Sequence, residues 1–76
     1  SVTKKPKLFI FPKDVLGAIK QNPAAWKYYQ RFPLTYRRIR VAWIDGSRNR
    51  RGIFNKRLHY FISMTEKNKR FGTIRQ

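Results

Sequence analysis

Asn22-Pro23-Ala24-Ala25-Trp26-Lys27-Tyr28-Tyr29-Gln30-Arg31-Phe32-Pro33-Leu34-Thr35-Tyr36-Arg37-Arg38-Ile39-Arg40-Val41-Ala42-Trp43-Ile44 holds both tryptophans and three of the four tyrosines of the chain. Its punctuation decides the fold. Asn22 is a good N-cap, and Pro23 suits the first turn of a helix, where a missing N–H costs no hydrogen bond. Pro33 disfavours helical geometry at Phe32. The stretch therefore reads as two short amphipathic helices folded against each other at Phe32-Pro33. In the first, about Pro23 to Phe32, the residues Ala25, Tyr29 and Phe32 share a face, with Trp26 and Tyr28 on its edges. In the second, about Leu34 to Asp45, Tyr36, Ile39 and Trp43 recur at i, i+3 and i+7 with Ala42 beside them. Arg37, Arg38 and Val41 then point away from that stripe.

The flanks have to cover these two faces. Towards the N-terminus, Pro12 opens a helix with Asp14 in its first turn, where the dipole favours an anion. Val15, Leu16 and Ile19 make its stripe, and it ends near Gln21. Leu8 to Phe11 is too short for a helix. It is either an isolated strand or an extended segment laid over a helix groove. Towards the C-terminus, Gly46 is a fitting stop, and Ser47 to Gly52 is a basic loop in which Ser47 or Asn49 can cap the next helix. A long last helix is expected from about Arg50 to Arg70, with Phe54, Leu58, Phe61, Ile62 and Thr65 on one face and Gly72 marking the end. The expected fold is a single all-α domain, a small bundle of about four helices. Residues 1–10 and 71–76 are its extended or flexible tails. Trp26, Tyr29, Phe32, Ile39, Trp43, Leu58, Phe61 and Ile62 are expected to form its core.

Seventy-six residues bury a modest core, and 16% aromatic residues supply bulk where disulfides cannot, because the chain has no cysteine. Cysteine-free composition fits a reducing cytoplasm. No apolar run approaches the roughly 18 residues of a membrane span, and no signal-peptide pattern follows the basic N-terminus. Nineteen Lys and Arg face three acids, for a formal charge of +16. Such a field attracts polyanions.

Enzymatic chemistry finds few tools here. Asp14, Asp45 and Glu66 are the only acids, and each is expected on a different element, whereas acid–base pairs and hard-metal sites need clustered oxygens. His59 is the only histidine. Ser63 lies one turn on, but no third group orients the pair. No cofactor, metal or small-molecule substrate is expected. The tryptophans and tyrosines have helical, inward spacing, so packing rather than base stacking is their expected role.

Phe-Pro-Lys-Asp-Val at 11–15, Asn-Pro-Ala-Ala-Trp at 22–26, Tyr-Arg-Arg at 36–38, Trp-Ile-Asp at 43–45, Lys-Arg-Leu at 56–58 and the late Met64 form a series. In order and spacing that series resembles the YdeI/OmpD-associated, or bacteriocin-protection, family. The resemblance implies a small all-α domain, often carried as a C-terminal module after another domain. It implies a link to the bacterial envelope or to bacteriocin tolerance, and it brings no reaction and no catalytic residues. The chain departs from the family pattern at Pro33, where a serine is usual. The stretch 47–55 lacks the usual acids, and the net charge is far more basic.

The arginines of that departing stretch, Arg48, Arg50 and Arg51, are the leading candidates for anion contacts. Arg37, Arg38 and Lys56 are candidates on the helices, and Lys4, Lys5 and Lys7 on the N-terminal tail. Lys and Arg near the end of the third helix can instead cap its carbonyls. The expected function is a non-enzymatic binding module for an anionic macromolecule. Nucleic acid and an acidic protein are the two partner classes, with an anionic membrane surface behind them. The alternative is an envelope-stress or bacteriocin-tolerance module meeting an acidic protein or anionic lipid.

Overall fold

The computed structural model describes residues 9–70. Its elements are α1 (Lys13–Lys20), α2 (Pro23–Tyr29), α3 (Leu34–Asp45) and α4 (Arg51–Glu66), the all-α architecture that the punctuation implies. Lys4, Lys5, Lys7 and Gly72 lie outside the described residues.

Asn22 does what its position suggests. Its Oδ1 accepts from the Ala25 N–H at 3.1 Å, and Pro23 sits in the first turn. Its Nδ2 also donates to Glu66 Oε1 at 2.5 Å, fastening the start of α2 to the end of α4. The second helix stops at Tyr29, three residues short of the expected Phe32. Arg31 N–H and Phe32 N–H instead donate to the carbonyls three residues back, Tyr28 and Tyr29. This tightening lets the chain reach Pro33 in extended geometry. Phe32 remains in the core all the same.

α4 lies against α2 and α3, and α1 packs on α2. The buried set is Val15, Ile19, Ala25, Tyr29, Phe32, Tyr36, Val41, Ile44, Phe54 and Phe61, with Trp26, Trp43, Leu58 and Ile62 partly buried around it. Tyr29 meets Phe61 edge-on at 6.2 Å, and Phe32 meets Tyr36 edge-on at 5.1 Å. Both geometries suit the aromatic quadrupole. Phe9 and Phe11 form an edge-on pair at 4.8 Å. They pack on the core as an extended segment and not as a strand.

The third helix is rotated from its expected setting. Val41 and Ile44 are fully buried, whereas Ile39 is 41% exposed and Ala42 faces solvent. Apolar residues occupy more than one side of α3, so periodicity alone admits two stripes that share Tyr36. The one that wins points compact β-branched side chains at the core. Trp43 is left half-buried, where arginines cover its ring.

Helix ends differ too. Neither Ser47 nor Asn49 caps α4. The N-cap is Arg50, with no side-chain hydrogen bond, and Ser47 is buried. The last helix ends four residues before Arg70. Asn68 adopts φ 58°, and the Asn68 and Lys69 N–H groups donate to the Thr65 and Met64 carbonyls at 2.8 and 2.9 Å. This is a Schellman closure, with asparagine supplying the left-handed residue.

Candidate anion-binding surface

Three acids must serve the whole chain, and the structure commits them all internally. Arg48, at the α3–α4 turn, takes two. Its Nη1 and Nη2 donate to the Asp14 carboxylate at 2.8 and 3.1 Å, and its Nε donates to Asp45 Oδ1 at 2.8 Å. The guanidinium also lies 4.9 Å from the Phe54 ring centre. The third acid, Glu66, holds Asn22. Each acid stands on a different element, as expected: Asp14 on α1, Asp45 on α3 and Glu66 on α4. Asp14 and Asp45 converge on one arginine. Arg48, a leading candidate for anion contacts, is thereby a clamp between α1 and the end of α3.

The Arg48 hydrogen bonds hold the Asp14 carboxyl below its ordinary 3.8; slight desolvation opposes them, and the Val15 N–H assists. A carboxyl with a depressed folded-state pKa stabilises the fold fully above its unfolded value. That contribution is lost as pH falls through the folded value. The melting temperature is thus expected to fall on acidification below 3.8. In Arg48→Gln the melting temperature should be lower at neutral pH and its acid decline shallower. Both partners are largely exposed, so the effect is modest. Melts followed by circular dichroism across acid pH check it, and an unchanged acid decline in the variant would remove the clamp.

Arg37 also has structural work. It is half-buried, its Nε donates to the Phe32 carbonyl at 3.1 Å, and its guanidinium lies over Tyr29 at 5.5 Å. It closes the α2–α3 turn. Capping of α3 comes from an unexpected source: Arg57, on α4, donates from Nη1 to the Trp43 carbonyl at 2.7 Å. The sequence signal for this is the hairpin register. Positions 43 and 57 are equidistant from residue 50 in the turn, as are 40 and 60. By contrast, nothing local announces the Asp14–Arg48 pair, 34 residues apart.

Arg38, Arg50, Arg51 and Lys56 are exposed. Arg50 and Arg51 stand together at the start of α4, Arg38 is on α3, and Lys56 lies a little over one turn along α4. His59 and Ser63 are exposed as well. Among the described residues, no three of His, Cys, Asp and Glu come together in a metal-binding arrangement. No helix there is long and apolar enough to cross a membrane. Between α3 and α4 runs a groove of about 480 Å³, bordered by Arg40, Trp43, Ile53, Lys56, Arg57 and Tyr60.

Four short helices closed by aromatic packing, with cations over the outer surface, define a small basic helical module. The chain belongs to the bacteriocin-protection, YdeI or OmpD-associated family, whose model matches residues 9–68. No curated protein and no solved structure matches it.

Proposed function

We propose that this is a non-enzymatic binding module whose exposed arginines and lysines engage an anionic macromolecule, nucleic acid first. One observation carries the reading: all three acids are held by groups of the chain itself, two of them by Arg48 alone. A formal +16 therefore has no internal anions left to neutralise it. Arg38, Arg50, Arg51 and Lys56 supply the contacts, joined by Lys4, Lys5 and Lys7 from the N-terminal stretch. Such contacts fall on phosphates and carry no sequence information. Titration against duplex DNA, single-stranded DNA, RNA and anionic vesicles at several salt concentrations tests this. Nucleic-acid affinity should drop steeply with salt, by counterion release, and should be alike for unrelated sequences. Salt-independent binding, binding to one sequence alone, or no binding to nucleic acid at low salt would overturn it.

A further inference from the structure

The groove between α3 and α4 differs from the rest of the surface. Its floor is apolar: Trp43 is half-buried, Ile53 is 37% exposed and Tyr60 48% exposed. Its border carries three cations. Arg57 is fixed by its bond to the Trp43 carbonyl and lies 4.8 Å from the Trp43 ring centre. Arg40 lies over the same ring at 5.4 Å. Lys56 extends at the edge and is exposed. The hollow beside Phe9 and Ile39 has only Arg38 for charge, so this is where apolar surface and several cations coincide.

We propose that this groove docks an amphipathic segment of a protein partner, with apolar anchors flanked by carboxylates. Charge complementarity selects that occupant. The border has no carboxylate of its own, and Asp14, Asp45 and Glu66 are all held elsewhere. The occupant must bring the anions. It must also cover the floor, since apolar surface gains from leaving water. A phosphate chain does not do that. Two guanidiniums already lie over Trp43, which leaves Tyr60 as a single ring where a bound strand stacks successive bases on several. A second copy of this chain would bring another +16 and no spare acids, so like charges oppose self-association here. A helical peptide laid between two helices meets both demands. The arginines held against Trp43 lose little freedom when it binds.

The probe is a synthetic amphipathic helix with leucines at i, i+4 and i+7 and glutamates on both flanks. One control replaces the leucines by serine, another the glutamates by glutamine, and oligothymidylate is a third ligand. Calorimetry gives affinities, and amide chemical-shift mapping gives the site. The leucine–glutamate peptide is expected to bind at least about tenfold tighter than either peptide control, shifting the signals of Ile53, Lys56 and Tyr60. Ile53→Ser and the exposed Lys56→Glu should each weaken it by about tenfold. Arg51→Glu, outside the groove, should weaken oligothymidylate while leaving the peptide within about twofold. Equal binding of the serine control would reduce the groove to charge alone. Oligothymidylate that displaces the peptide and shifts the signals of Ile53 and Tyr60, beyond the shared Lys56, would make the site one for nucleic acid. Unchanged peptide affinity in both Ile53→Ser and Lys56→Glu would also sink the proposal. Peptide binding without any oligothymidylate binding would overturn the nucleic-acid reading above and leave the groove standing.

Discussion

Phe61→Ala is expected to abolish a cooperative melt, or nearly so. Phe61 is fully buried and meets Tyr29 edge-on, in the middle of the helix that packs on both α2 and α3. Truncating a buried phenylalanine costs about 3–5 kcal/mol, because the cavity only partly closes. Small domains have about 5–15 kcal/mol to lose, and one of this length sits at the lower end. Trp43→Ala is the informative contrast. On sequence grounds Trp43 belongs to the core and its loss should be as severe. In the structure it is half-buried beneath Arg40 and Arg57, so its loss should cost clearly less than that of Phe61. Part of its cost is the cation–π contacts, each about 0.5–1 kcal/mol at an exposed site. Urea melts of both variants order the two costs. A larger loss for Trp43→Ala would mean that α3 turns its other stripe inward.

Replacing Arg38, Arg50 and Arg51 together by glutamine should flatten the salt dependence of nucleic-acid binding. Each phosphate neutralised contributes about 0.9 to the log–log slope on B-DNA, so three arginines account for roughly 2–3 units. Affinity should fall by the same factor for every duplex tested, since phosphates are alike whatever the bases. The three side chains are exposed and none has an acid to release, so the fold should hold. Arg48→Gln should behave in the opposite way: the melting point falls, and the slope changes little, because that arginine is already shared between Asp14 and Asp45. A slope unchanged in the triple variant would show that the contacts lie elsewhere on the basic surface.

Prolines and an asparagine made the helix count legible. Asn22-Pro23 and Pro33 act through φ restriction and local capping, which depend on neighbours in sequence alone. The α4 stripe from Phe54 to Thr65 was legible for a related reason: its opposite side is polar, so only one setting buries it. α3 lacked that guide. With Ile39, Val41, Trp43 and Ile44 spread around it, the choice of face rests on what α2 and α4 present, which no window of the sequence contains. The charged surface shows the same division. Exposure of Arg50 and Arg51 follows from their place at a helix start. The use of Arg48 as a clamp depends on Asp14 arriving from α1, and the groove depends on Ile53 and Tyr60 meeting Trp43 across the hairpin.

Gly17 stands in the middle of α1, and a methyl group there would meet no atom within 4 Å. Nothing in the packing requires glycine. Its lower helix propensity, by about 1 kcal/mol against alanine, simply leaves α1 weak. Eight residues make too short a helix to persist without tertiary support, and that support comes chiefly from α2 and the one ion pair through Asp14. The first helix is therefore the part of the molecule poised to open by itself, ahead of global unfolding. Its amide protons would exchange with solvent while those of α4 remain protected, and each opening would bare Val15 and Ile19 and return both oxygens of Asp14 to water.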